Sequence, residues 1–477
     1  MNKKNLVTLV NTNQIKPSIA PIAFDYLYPP LSQAGFEVQF LDLCFSDDFK
    51  TTIARYCQQT SPHFWGVTMR NTDDTYFSGQ HSFLSLVKNM IGAIKEYSDA
   101  PIIMGGVGFS VMPENIMAYC GVDFGIICEG EISFPMLLTR LVNRESYHDL
   151  PGLVYRTPTG FQRNPITTFV DLSKKNVPAR NFVNNPTYFK HGGQVGIETK
   201  RGCPLSCIYC ADPLSKGQKL RLRNPVDVVD EIEKLVAQGI HVFHLADSEF
   251  NLHVKHAIAF CEEIIRRGLQ HKITWYAYGM PSPLPDKLVK NMVDAGCAGL
   301  GLGVDSASPK MLRVLKRTFQ PKHIAQAVET CHKHKLLCAV DLLFGAPGET
   351  AETIKETIDF VKKLPLDTVI TILGFRIFPN TALAKMVQLE GIHPNNPNLH
   401  GIIEGNESFL QPMFYLSAQI APNPFEYVRT LIGDDKRFSP INSEELNYDA
   451  NELLVEAIKS GERGAYWAIL LDKIRTE

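Results

Sequence analysis

No apolar run in this 477-residue chain approaches the ~20 residues of a membrane-spanning helix, so no membrane partner is expected. No secretory leader is expected either, since Met1-Asn-Lys-Lys-Asn5 passes directly into a strand-like run. Neither sign of charge is in excess: 48 Lys and Arg face 50 Asp and Glu, for a net charge of −2. With no basic face implied, nucleic acid is not an expected partner. A disulfide framework is also missing. Of eleven cysteines, eight (Cys44, Cys57, Cys120, Cys128, Cys261, Cys297, Cys331, Cys338) stand singly in helical and strand patterns. They read as buried free thiols of a protein in the reducing cytoplasm, and they leave no set for a second metal cluster. What remains is an ordinary globular composition, 44% hydrophobic and 21% charged, in a chain long enough for two to three domains.

Against that background one stretch stands out, Arg201-Gly-Cys-Pro-Leu-Ser-Cys-Ile-Tyr-Cys210. Cys203, Cys207 and Cys210 have C-x3-C-x2-C spacing, and the run Gln194–Lys200 before them reads as a strand. The cysteines therefore fall in the loop leaving that strand. Three thiolates on one short loop can hold three irons of a 4Fe–4S cube and leave the fourth iron open. A structural zinc site is the competing reading. Zinc wants a fourth protein ligand and usually C-x2-C pairs, and no nearby residue supplies one at regular spacing. The motif resembles that of the radical S-adenosylmethionine (SAM) enzymes, in which the methionine end of SAM takes the open iron.

Residues 1–145 alternate strands (Leu6–Val10, Val38–Leu43, Phe64–Met69, Pro101–Met104, Phe124–Ile127) with helices (Ile22–Ala34, Phe49–Gln59, Phe83–Tyr97). Such alternation predicts a parallel Rossmann-like α/β sheet, with ligands outside the carboxyl ends of its strands. Gly105-Gly-Val-Gly-Phe-Ser110 follows the fourth strand and Glu129-Gly-Glu131 the fifth. Their order and spacing resemble the cobalamin-binding domain that precedes the barrel in B12-dependent radical SAM enzymes. The resemblance implies cobalamin contacts from Gly105, Gly106, Gly108, Ser110, Glu129, Gly130 and Glu131. The Asp-x-His-x-x-Gly motif that gives cobalt a histidine in B12 mutases is absent. The third strand instead delivers Met69-Arg-Asn-Thr-Asp-Asp74. By resemblance Arg70 lies beneath the corrin with Asn71 beside it; the alternative pairs Arg70 with Asp73 or Asp74.

Residues 146–193 carry five prolines and read as a linker with short strands at Gly152–Tyr155 and Thr168–Val170 and no sustained helix. Residues 194–390 alternate again, through six strands each followed by a helix or turn, which predicts a partial (β/α)6 TIM-like barrel with its site at the strand carboxyl ends. The radical SAM resemblance implies SAM contacts there. Asp247 or Glu249, after the second barrel strand, would hold the methionine ammonium, with a helix-capping Asp247 as the alternative. Asp305, after the fourth, stands where the family usually has Glu. Arg376, after the sixth, would meet a carboxylate of SAM or substrate, and Tyr209 would stack near adenine. Tyr276 and Tyr278 alternate with Trp275 and Ala277, so one pair lines the barrel interior. Residues 391–477 form a helical extension at the barrel mouth or base.

The resemblance covers nearly the whole chain. It implies an enzyme with a 4Fe–4S cluster, SAM and cobalamin that transfers a methyl group from SAM, via methylcobalamin, to a carbon of a small molecule. An external electron donor of flavodoxin or ferredoxin type is implied as partner. A minority route, known from tryptophan 2-C-methyltransferase-like enzymes, uses cobalamin without radical cleavage of SAM. The alternatives are a non-methylating cobalamin radical SAM enzyme (a cyclase or rearrangement catalyst), a radical SAM methylthiotransferase, or a cluster-binding regulator.

Overall fold

The computed structural model describes residues 5–174, 177–439 and 451–476, so the expected start of the tail helix at Leu446 lies outside it. The first sheet begins with β1 (Leu6–Asn11), all six residues of which are buried, as a strand covered on both faces requires. It continues with β2 (Glu37–Asp42), β3 (Phe64–Thr68), β4 (Ile102–Gly105) and β5 (Phe124–Ile126). These five strands are parallel, in spatial order 2-1-3-4-5. The direction of winding reverses at the β1/β3 boundary, which leaves a crevice above those two strand ends.

The segment read as a linker extends this sheet. β6 (Leu153–Thr157) and β7 (Gly160–Arg163) add to β5 as an antiparallel hairpin. Thr168–Val170, expected as a strand, makes no ladder, and Val170 N donates instead to Glu129 Oε2 (2.8 Å). A helix does form at Asn185–Gly192, where none was expected. Its proline sits in the first turn, where a missing N–H costs nothing, and the Asn184 side chain caps it by accepting from Thr187 N (3.2 Å).

The barrel sheet comprises β8 (Val195–Ile197), β11 (Val242–Leu245), β12 (Thr274–Gly279), β13 (Cys297–Asp305), β14 (Leu337–Phe344) and β15 (Thr368–Leu373). All are parallel, in order 15-14-13-12-11-8, as six consecutive βα units predict. Two-residue strands β9 (Lys200–Arg201) and β10 (Arg221–Leu222) pair antiparallel and bracket the cysteine loop. The extension, expected to be helical, begins instead with two strands, β17 (Leu399–Gly401) and β18 (Met413–Tyr415), and β18 pairs with β16 (Phe375–Arg376) of the barrel segment in a small antiparallel sheet.

Along β13 the glycines at 299, 301 and 303 share one face. A Cβ at Gly299 would sit 3.0 Å from the Trp467 ring, and one at Gly301 would sit 2.8 Å from the Tyr278 ring. Trp467 comes from the last helix, Tyr466–Thr476, which is thereby seated against the barrel. Tyr276 meets Trp467 edge-on at 6.4 Å, so Tyr276 and Tyr278 are the inward pair. Trp275 points outward, packs on Phe250 (5.4 Å) and Phe260 (5.7 Å), and donates to Ala295 O (2.9 Å).

A buried ion network joins the two sheets. Arg180, fully enclosed, donates from Nε to Asp25 Oδ2 (2.9 Å) and from Nη1 to Glu231. Glu231 also accepts from Arg223 Nη2 (2.7 Å), and Arg223 Nη1 donates to Tyr26 OH (2.9 Å). Asp25 and Tyr26 lie on the helix Ile22–Gln33 of the first domain; Glu231 lies on Pro225–Val236 of the barrel. Glu231→Gln leaves two buried guanidinium groups without their shared carboxylate. We expect a loss of about 3–5 kcal/mol, read as a lower midpoint in urea denaturation.

Candidate active site

A cavity of about 940 Å³ opens between the two sets of strand ends. Asn11, Asn13, Arg70, Asn71, Gly105 and Gly106 line it from the first domain, and Glu198, Arg201, His244 and Tyr278 from the barrel. Arg201 and the Asp212–Lys216 helix, which flank the cysteine loop on either side, also line it. Gly202 has φ +87° and packs against Lys219 O, so a side chain there has neither conformation nor room. Cys203 N then donates to Gly217 O (3.0 Å) and Cys210 N to Cys207 O (3.2 Å), which folds the loop back on itself.

Among the described residues, no three His, Cys, Asp or Glu side chains converge closely enough to hold one metal ion. The three cysteines stand at positions 203, 207 and 210 of one loop, the C-x3-C-x2-C order in which three thiolates can each take a different iron. Burial holds the Cys203 thiol at about 11 and Cys210 at about 12, so metal must displace protons on binding. Cys207 is also raised by burial, but Arg317 Nη1 donates to its Sγ (3.2 Å) and pulls the other way.

Arg317 anchors a chain of contacts the sequence did not reveal. Its Nε lies 3.5 Å from Asp305 Oδ2, which accepts from Tyr209 OH at 2.8 Å. The Tyr209 ring meets Phe375 at 5.1 Å and 61°. Tyr209 and Asp305 therefore hold each other on the cluster side of the barrel. Glu249 and Arg317 both border the space that Gly303 leaves: a Cβ there would sit 3.7 Å from Glu249 Oε1 and 3.4 Å from Arg317 Nη2.

Two SAM candidates have other attachments. Asp247 accepts from Thr199 N (2.8 Å), Lys200 N (3.2 Å), Thr199 Oγ1 (2.5 Å) and Lys200 Nζ (2.6 Å). Both its oxygens are committed to holding the strand that leads into the cysteine loop. Arg376 binds Asp73 through Nε (3.0 Å) and Nη2 (2.9 Å), and donates to Phe409 O (3.0 Å). It ties the barrel to the first domain and is 5% exposed.

The cobalamin candidates divide likewise. Arg70 and Asn71 stand at the β3 end, where the Asn71 amide, oriented to satisfy both groups, accepts from Arg70 Nη1 (3.3 Å). Asp73, one of the two acids proposed as an alternative partner for Arg70, is bound to Arg376. Gly105, Gly106 and Gly130 reach the cavity wall. Gly106 has φ +107°, and a Cβ there would lie 2.5 Å from Met69 O. Gly108 and Ser110 lie beneath the wall. Gly108 N donates to Arg70 O (2.8 Å), and Ser110 Oγ links Gly106 O (2.8 Å) to Cys128 N (2.9 Å). Glu129 and Glu131 face arginines across the domain boundary. Glu129 Oε1 accepts from Arg221 Nη1 (2.6 Å) and Arg201 Nη1 (3.2 Å), and Glu131 Oε1 from Arg201 Nη1 (2.7 Å).

A cavity above the switch point of a doubly wound parallel sheet, bordered across the seam by the strand ends of a partial barrel whose first loop carries three cysteines, is the arrangement of a corrinoid-binding radical SAM protein. Known proteins agree. Residues 8–138 match the B12 binding domain model and residues 197–361 the radical SAM superfamily model. The tryptophan 2-C-methyltransferase of Streptomyces laurentii is 32% identical over 91% of this chain and 82% of its own. The radical SAM methyltransferase TsrM of Kitasatospora setae, solved with tryptophan and a SAM analogue bound, superposes with TM-score 0.92 at 30% identity over 99% of both chains. A second structure of that enzyme, with cobalamin and a 4Fe–4S cluster bound, gives TM-score 0.90 at 28% identity. The chain belongs to the cobalamin-binding radical SAM enzymes closely related to TsrM-like tryptophan 2-C-methyltransferases. It is a cobalamin-dependent methyltransferase whose cofactors are cobalamin, a 4Fe–4S cluster and SAM. No helix among the described residues is long and apolar enough to cross a membrane.

The acids of the barrel interior carry a pH signature. Burial lifts the Glu249 carboxyl to about 7, against the pull of Arg317. The folded protein therefore favours the protonated form, a contribution present below the ordinary 4.5 and lost as pH rises through about 7. Glu249→Gln stays neutral. In thermal melts of the apoprotein we expect the variant to gain on the wild type above pH 7, and the difference to close as pH falls toward the ordinary carboxylate range.

Proposed function

We propose that this enzyme methylates C2 of the indole ring of tryptophan, with SAM as methyl donor. The observation that carries the reading is full-length similarity, at TM-score 0.92, to an enzyme solved with tryptophan bound. The lining of the cavity supports it: His244, Tyr278, Ile370, Ile372 and Tyr466 present aromatic and apolar surface, as an indole needs. Burial lowers His244 to about 4, so its imidazole is neutral at working pH and adds no charge to that surface. The net reaction consumes SAM and tryptophan and yields S-adenosylhomocysteine, 2-methyltryptophan and one proton.

In this reading Cys203, Cys207 and Cys210 hold the cluster, and Gly105, Gly106 and Gly130 let the first sheet approach the corrin closely. Cobalamin, when bound, supplies a metal that accepts and donates a methyl group. Arg70 presents a cation that cannot coordinate metal and disfavours other donors on its side. Glu249 and Asp305, the latter beside Arg317, shape the SAM side of the barrel. A one-electron donor of flavodoxin or ferredoxin type serves as partner. The eleven unpaired cysteines support residence in the reducing cytoplasm.

The test is anaerobic reconstitution with iron, sulfide and hydroxocobalamin, then incubation with SAM and L-tryptophan. A product one methylene heavier, with S-adenosylhomocysteine formed in step, is expected by mass spectrometry. Loss of the corinoid on desalting, or no methylated indole, would defeat the reading. Replacing any of the three motif cysteines by Ala is expected to abolish iron incorporation while cobalamin is retained. Arg70→Ala should change turnover or cobalamin affinity, and an unchanged variant would remove Arg70 from the site.

A further inference from the structure

The cysteine loop ends in a short helix, Asp212–Lys216, that carries an ion pair not used above. Lys216 Nζ donates to Asp212 Oδ2 (2.9 Å) and lies 3.5 Å from Ser248 Oγ, which donates to the same oxygen (2.7 Å). Asp212 Oδ1 accepts no hydrogen bond among the described residues. The side chains of Lys216 and Asp212 keep 26% and 32% of their surface, and both line the 940 Å³ cavity.

A second Lys–Asp pair on the same wall behaves differently. Lys200 and Asp247 are only 2% and 1% exposed. The Lys200 ammonium has three acceptors: Asp247 Oδ2 (2.6 Å), Phe250 O (2.9 Å) and Thr199 Oγ1 (3.3 Å). That pair is closed and holds the fold. The Asp212–Lys216 pair leaves a carboxylate oxygen and part of an ammonium turned to the cavity. An i,i+4 pair on a helix contributes only about 0.3–0.5 kcal/mol to stability, so the fold gains little from it. A carboxylate and an ammonium side by side complement the charged head of an α-amino acid; of the other charged groups on the wall, Arg201, Glu129 and Glu131 are paired with one another and Asp247 with Lys200.

We infer that Asp212 and Lys216 bind an α-amino-acid head, the ammonium on Asp212 and the carboxylate on Lys216. This deepens the tryptophan reading and rests on it for the acceptor. The methionine end of SAM carries the same head, and the experiment separates the two sources.

The reconstituted holoenzyme and its Asp212→Asn and Lys216→Met variants are assayed for KM toward L-tryptophan and toward SAM. Inhibition constants are measured for tryptamine, which lacks the carboxylate, and indole-3-propionate, which lacks the ammonium. For an acceptor site, each variant raises the tryptophan KM about tenfold or more and leaves the SAM KM unchanged. Asp212→Asn then weakens tryptamine but not indole-3-propionate, and Lys216→Met does the reverse. A rise confined to the SAM KM assigns the pair to the methionine end instead, and the inference of an amino-acid head stands. Equal weakening of both analogues by each variant, or a fall in kcat with both KM values unchanged, overturns it. Should the wild type methylate no indole, the tryptophan reading fails by itself. Equilibrium dialysis with labelled L-amino acids and SAM then decides: binding to the wild type that each variant loses sustains the pair, and binding equal in all three overturns it.

Discussion

The placement of one sheet against the other rests on carboxylates that have left water and found arginines from the opposite side. Asp25, Glu231, Glu129, Glu131 and Asp73 each bind a guanidinium belonging to another part of the chain. Removing such ions from water costs several kcal/mol apiece, and the cost is offset only while the partners stay in register. Apolar contact alone would let two α/β layers slide. Buried ion pairs do not tolerate sliding, so the seam keeps one geometry and the cavity along it keeps its shape. Arg201 shows the coupling to function directly. It pairs with Glu129 and Glu131 and stands two residues before Cys203, so the joint between domains also sets the cysteine loop.

Periodicity made the element order legible. Continuous apolar runs such as Leu6–Val10 can be buried only as strands of a two-sided sheet, and helical spacing of the valines after Pro225 marked the next layer. Helix Phe49–Gln59 has the predicted limits, because Asp48 caps it through Lys50 N (3.0 Å) and Thr51 N (3.3 Å). Strand ends could be listed in order, and the cavity lies along them. What the sequence did not contain was pairing. Arg376 looked like a carboxylate receptor at a strand end, yet its partner Asp73 stands 303 positions away. Asp247 looked like an ammonium receptor, and the backbone of the neighbouring strand reached it first. Arg317 carries no motif at all. A cation in the same βα connection as Asp305 was its only available signal, and the distance to Cys207 exists only after folding.

Glycine has two separate uses here. In the first domain Gly106 and Gly108 bring a helix start against the backbone of Met69–Asn71, which fixes the loop that presents Arg70. In the barrel the three glycines along β13 vacate the interior face of one strand. Into that trough come Trp467, Tyr278, Arg317 and Glu249. The C-terminal helix is therefore packed into the same strand that borders the chemistry.

The charged seam also bears on how such enzymes can diversify. A first domain exchanged for one lacking Asp25, or both Glu129 and Glu131, would leave Arg180 or Arg201 in a dry interior with one carboxylate where it now has two or more. Asp73 and Arg376 must likewise change together or not at all. The two folds are separate in topology but bound by shared charges, so a change of acceptor disturbs the structure less when it alters the wall of the cavity than when it exchanges one of its halves.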